Sequence, residues 1–141
     1  MKKIKLDYTE EYDFLLLGIT AYEKDYRLIW SINNSLNLAL AKTDDHEVLH
    51  KKSGEKQSYS CFSGHDENTM LDFKVIANKS ENGLLMDELK NIDFFMVIKG
   101  EYDAHFSSSL KQKINKLENI QAVFVIDPEK LKNKERLISF E

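Results

Sequence analysis

One motif matches known chemistry letter for letter: His46-Glu47-Val48-Leu49-His50, an H-E-x-x-H. On a helix, residues four apart share a face. Both imidazoles would then hold one zinc ion while the glutamate activated its water. The surroundings argue against this. A zincin helix must lie against a core, yet residues 42–57 are polar around Val48 and Leu49. The extended metzincin pattern needs glycine three residues after the second histidine, where Ser53 stands, and a further ligand where Lys56 stands. A zinc metallopeptidase through His46, Glu47 and His50 is therefore the third reading, and no metal or cofactor is expected.

Other chemistry-bearing residues are more scattered. Lys99-Gly100 and Asp127-Pro128 each follow an apolar run that reads as a strand. Ligands of open α/β sheets tend to sit beyond such strand ends, so Lys99, Gly100 and Asp127 are candidates for holding a small anion. The competing reading is ordinary capping and a turn. Glu88 and Asp93 flank the start of the run 94–98. Two carboxylates can act as acid and base or hold a cation; paired with Arg27 or a lysine, they would be structural or interaction residues instead. Arg27, Trp30 and Asn33 form a polar and aromatic strip, with core packing the first reading for Trp30 and a partner surface the second. His65 and His105 lack a partner at ligand spacing and read as solvated. Ser107-Ser108-Ser109 has no adjacent base. The chain has no nucleophile elbow, phosphate loop, dinucleotide glycine motif or C-x-x-C pair.

The totals narrow the classes. At 141 residues the expectation is a single α+β domain over 1–141, large enough to fold without a disulfide or metal. Cys61 is alone in a strand-like stretch and reads as a buried thiol in a reducing compartment. A net charge of −4 argues against nucleic-acid binding, since phosphate contacts dominate that affinity. Asp7 ends the first apolar stretch, and Glu10, Glu11 and Asp13 lead into the next, so neither a signal peptide nor a membrane span is expected. The expected location is cytoplasmic.

Hydrophobic periodicity supplies the elements that must position these residues. Ile4, Leu6 and Tyr8 alternate as in a strand, and 14–19 reads as a second. Asp25 reads as an N-cap for a helix with Leu28, Ile29, Ile32 and Leu36 on its inner stripe, closing near Asn37. Residues 42–57 read as an exposed excursion. Two strands, 59–63 and 71–78, are expected around a turn at 64–68. In the last third, Leu89, Asn91, Ile92, Val97 and Ile98 recur 28 positions later as Leu117, Asn119, Ile120, Val125 and Ile126. Asn91 and Asn119 read as left-handed stops, each followed by a strand. Between the strands, Phe106, Leu110, Ile114 and Leu117 make a helical face. The unit is a βαβ over about 92–126 with two parallel strands. Asp127-Pro128-Glu129 then caps a short turn, and Leu137, Ile138 and Phe140 end the chain as an apolar tail. The predicted architecture is a mixed sheet with helices mainly on one face.

The stretch 84–100 resembles the block that names the bacterial IPExxxVDY family, small proteins without an assigned activity. Glu88 and Asp93 are kept, Ile92 stands for valine and Phe94 for tyrosine, while Met86 and Asp87 replace isoleucine and proline. Leu17-Gly18-Ile19, Asp25-Tyr26-Arg27-Leu28, Trp30 with Asn33, Lys99-Gly100 and 126–131 are also similar, so the likeness runs nearly end to end. H-E-x-x-H is not part of that pattern. The resemblance implies no chemistry. The expected role is a non-enzymatic module that binds an unidentified protein or itself, as a homodimer through a sheet edge or the apolar tail. A small enzyme or anion sensor at Lys99 and Asp127 is the alternative.

Overall fold

A computed structural model describes residues 14–50, 54–81 and 83–137. The alternating residues Ile4, Leu6 and Tyr8 and the tail residues Ile138 and Phe140 lie outside them. Along the chain come β1 (Leu15–Ala21), α1 (Asp25–Leu36), β2 (Ala41–Lys42), β3 (His46–His50), β4 (Glu55–Tyr59) and β5 (Cys61–Asp66). They are followed by β6 (Leu71–Ala77), β7 (Lys79–Ser80), β8 (Gly83–Leu84), β9 (Phe94–Lys99), α2 (Ala104–Asn115) and β10 (Ile120–Ile126). Short 3-10 turns occupy Asp87–Leu89, Pro128–Lys130 and Lys134–Leu137.

The main sheet has the order β10-β1-β9-β6-β5-β2. β1 is apolar on both faces, and such a strand needs neighbours on both sides and cover above and below. It lies between β9 and β10, antiparallel to each. β9 and β10 therefore run parallel to one another, as the βαβ pattern predicts, but β1 is inserted between them and the unit is split. Every hydrogen-bonded pair among the described strands is antiparallel, where a mixed sheet was expected. The difference arises because local spacing fixes the direction of two strands, not which distant strand comes between them.

Both α-helices lie on one face. Leu28, Ile29 and Ile32 of α1 and Leu110 and Ile114 of α2 pack on Leu17, Ile19, Phe73, Val75, Met96 and Ile98. The opposite face carries Leu16, Cys61, Ile76, Phe95 and Val97. Its cover is the β3–β4 hairpin through Val48 and Tyr59, the segment Leu85–Ile92, and the tail residues Leu131 and Leu137. The described part of 42–57 is thus not an exposed excursion. His46, Val48, Gln57 and Tyr59 turn inward in register, His46 opposite Tyr59 and Val48 opposite Gln57. Half of that inner face is polar, which conceals the strand period in the sequence.

The turn chemistry is mostly as the sequence implies. Asn37 closes α1 at φ 56° and Asn119 precedes β10 at φ 67°, both left-handed. Asn91 is not left-handed; its carbonyl accepts the Thr20 hydroxyl at 2.9 Å, and the segment before it is a 3-10 turn. Asp25 is the first residue of α1 rather than its cap, a place taken by Lys24. Asp127 caps the turn that starts at Pro128, accepting the Glu129 N–H at 3.1 Å.

Candidate functional site

Glu88 and Asp93 are brought to separate tasks, not to one acid–base pair. The Glu88 carboxylate accepts the N–H of Lys132 through both oxygens (3.0 and 3.1 Å) and that of Asn133 at 3.3 Å. It fastens the tail to the segment before β9. Asp93 accepts the Ala21 N–H at 2.9 Å through Oδ2, and its Oδ1 lies 3.1 Å from the Lys79 ammonium. Neither meets Arg27. Between them sits a residue the sequence reading missed, Asn78, fully buried at the end of β6. Its Nδ2 donates to the carbonyls of Leu89 (3.0 Å) and Ile92 (2.7 Å), and its Oδ1 accepts the Met86 N–H at 2.8 Å. Arg136 adds a second clamp, donating to the Leu85 carbonyl at 3.0 Å and to Asp87 at 3.3 Å. The only sequence signal for Asn78 is a polar residue ending an alternating apolar strand.

The H-E-x-x-H motif lies on strand β3, not on a helix. Four residues along a strand span about 13 Å, too far for one zinc ion. His46 is 3% exposed. Its Nε2–H donates to the Arg136 carbonyl at 2.6 Å, while Nδ1 is buried without a partner. Burial pushes the His46 pKa below its usual value; the bond to Arg136 opposes this and the Lys74 charge adds to it. The His50 Nε2 and the Tyr59 hydroxyl share a hydrogen bond of 2.8 Å, with the rings stacked at 6.3 Å. The His50 pKa is lowered too, by burial first and then the Arg136 charge. Burial raises that of Tyr59 to about 12. Glu47 points to the other face and pairs with Lys56 at 3.3 Å. Among the described residues, no group of three or more His, Cys, Asp or Glu is placed to hold a metal.

The anion candidates separate as well. Asp127 is committed to its cap. Gly100 serves a close approach: at φ +131° a Cβ there would lie 2.6 Å from Leu71 Cδ2 and 3.2 Å from the Met70 carbonyl oxygen. Lys99 instead borders a hollow of about 430 Å³ together with Ser63, His65, Asp72, Lys74 and Val97. His65 Nδ1 and Asp72 Oδ1 are 2.7 Å apart. His65, read from the sequence as merely solvated, is therefore held in place; the signal was its cross-strand register with Asp72.

Two apolar surfaces stand outside these networks. On α1, Asn33 turns back to hold both backbone groups of Leu40, at 3.0 and 2.9 Å. Trp30 is not core: it is 67% exposed, beside Tyr26 at 61%, with Tyr22 at 75% just ahead of the helix. Tyr26 and Trp30 are one turn apart, and Arg27 is exposed next to them. At the sheet edge, Phe124 and Val125 of β10 are each about half exposed. No helix among the described residues is long and apolar enough to cross a membrane. Compared with models of protein families and with curated proteins, the chain matches none.

Proposed function

We propose that this chain acts by association rather than catalysis, as a module that pairs with a second copy of itself through the free edge of β10. One observation carries the reading. β10 is seven residues long, pairs only with β1 among the described strands, contains no charged residue or proline, and has its register irregularity at its start, opposite Thr20 and Ala21, rather than at Phe124 and Val125. Phe124 and Val125 put apolar surface on both faces of that edge. Sheet edges left in water are normally short or guarded by lysine, proline or bulges. The opposite edge follows that rule, since β2 has two residues and one is Lys42. An unguarded edge accepts an identical strand across a two-fold axis, with the same patch on both sides.

The outer face of α1 supports a second reading, a heterologous protein partner anchored on Tyr26, Arg27 and Trp30, residue types enriched among interface anchors. Membership of the IPExxxVDY family and a cytoplasmic location belong to the same proposal, on the retained Glu88 and Asp93 and the single buried Cys61.

Sedimentation velocity over a concentration series tests it. The full chain should dimerise, Val125→Lys should return it to monomer, and Trp30→Ala should leave the dimer intact. A wild-type monomer at the highest concentration, or a dimer indifferent to Val125→Lys, overturns the β10 reading. Loss of the dimer in Trp30→Ala alone moves the interface to α1.

A further inference from the structure

We infer that the open end of the sheet face under the tail is a binding site for a small organic anion, an oxyanion head group carried on an apolar body. This goes beyond self-association and uses different residues. Strands β5, β6 and β9 place side chains in two rows: Ser63, Lys74 and Val97 in the first, His65, Asp72 and Lys99 in the second. The row before them, Cys61, Ile76 and Phe95, is sealed beneath the hairpin and Leu85. Among the described residues cover thins beyond it: Val97 is still buried, Ser63 and Lys74 are half-buried, and His65, Asp72 and Lys99 are exposed, so the two rows form the floor of the hollow, with Leu137 at its wall. Its volume of about 430 Å³ lies within the range of small-molecule sites.

Three polar groups on this floor, Ser63, Lys74 and Lys99, are donors without acceptors. Among the described residues, no carboxylate pairs with Lys74 or Lys99, and the Ser63 hydroxyl has no hydrogen-bond partner. The one acid, Asp72, is occupied by the Nδ1–H of His65, which fixes the ring and leaves Nε2 uncommitted. The two lysines stand on adjacent strands and adjacent rows, roughly 8 Å apart at the backbone, within reach of a single shared anion. This concentrates positive charge in a concavity of a chain whose net charge is −4. Val97 and Leu137, each 3% exposed, also line the hollow, and its volume exceeds that of a bare inorganic ion, which would leave part of it unused.

The test is an NMR titration of the full chain with phenyl phosphate, benzoate and inorganic phosphate as separate probes. Saturable shifts should gather on Ser63, His65, Lys74 and Lys99, with an aromatic probe binding more tightly than inorganic phosphate. The tighter of the two aromatic probes identifies the head group as phosphate or carboxylate. Lys74→Gln and Lys99→Gln should each weaken binding about tenfold or more, the scale of a charged hydrogen bond. Lys111→Gln makes the same charge change on the exposed side of α2 and should bind as wild type. No saturable shift with any probe, or an equal loss in Lys111→Gln, overturns the site.

Discussion

Replacing Asn78 should unfasten the segment that carries Glu88 and Asp93. The side chain is fully buried and makes three hydrogen bonds, to the carbonyls of Leu89 and Ile92 and from the N–H of Met86. Asn78→Ala leaves that buried N–H without an acceptor and two carbonyls without their donor. An orphaned buried donor costs about 1–3 kcal/mol, and the weakened carbonyls and small cavity add to it. The sum is about 3–5 kcal/mol, a large part of the stability of an ordinary domain. For a chain of this size it should lower Tm by roughly 10–15 °C. Asn78→Asp separates hydrogen bonding from packing. It keeps the shape and the acceptor for Met86 but turns an oxygen toward two carbonyl oxygens, so it should be at least as damaging. Calorimetry with urea titration reads both variants, and hydrogen exchange at Leu85 and Met86 should speed up before the rest of the sheet. A fall of less than about 3 °C for either variant would refute the account, since one orphaned donor alone exceeds that.

Acid should weaken the fold through His46. Burial lowers its folded pKa below the unfolded value of 6.5, so the folded state holds the ring neutral. The unfolded state binds the extra proton, and stability is full above pH 6.5 and lost as pH falls toward the folded value. The loss is bounded by about 1.4 kcal/mol per pH unit for one proton, is read as Tm against pH between 7.5 and 5.5, and should flatten in His46→Gln. His50 titrates in the same sense and keeps part of it; equal slopes in wild type and variant would exclude His46 as the source. Gly100→Ala should cost about 1–3 kcal/mol, because it combines a positive φ with a Cβ 2.6 Å from Leu71 Cδ2. Gly83→Ala, with nothing within 4 Å of its Cβ, should change Tm little, and similar melts for the two would contradict the close approach.

Elements with a two-sided or one-sided apolar pattern were legible in the sequence. β1 and β9 are near-continuous apolar runs, and α1 shows its stripe through Leu28, Ile29 and Ile32. The β3–β4 hairpin was not legible, because His46 and Gln57 occupy inward positions that the period reserves for apolar residues. For His46 the compensation comes from Arg136, ninety residues away, whose carbonyl accepts its Nε2–H. The insertion of β1 between β9 and β10 has the same character. Nothing near residue 15 announces that its partners lie eighty and more than a hundred residues away. Gly18 is the one local trace: a Cβ there would lie 2.7 Å from Ile126 Cδ1 and 3.0 Å from Ile92 Cδ1, so those side-chain ends would have to shift to admit one. For the candidate site the limit was register. His65, Asp72 and Lys99 are scattered in sequence and adjacent only after three strands pair.

That contrast bears on where function resides. The residues that looked most like chemistry by type are committed to the chain's own backbone: Glu88 to Lys132 and Asn133, Asp93 to Ala21, Asn33 to Leu40, Asp127 to Glu129 and His46 to Arg136. A carboxylate that accepts two or three backbone N–H groups must lose those bonds before it can take a substrate, with a donor left unpaired each time. Such groups are poor catalysts and good fasteners. A group available to a ligand is instead one whose hydrogen-bonding or apolar capacity the fold leaves open. Lys74 and Lys99 in the hollow, Tyr26 and Trp30 on α1, and the bare edge of β10 meet that condition among the described residues. The segment around Glu88 therefore bears on the proposed site indirectly. By fastening the tail through Lys132 and Asn133, it holds Leu137 at the wall of the hollow.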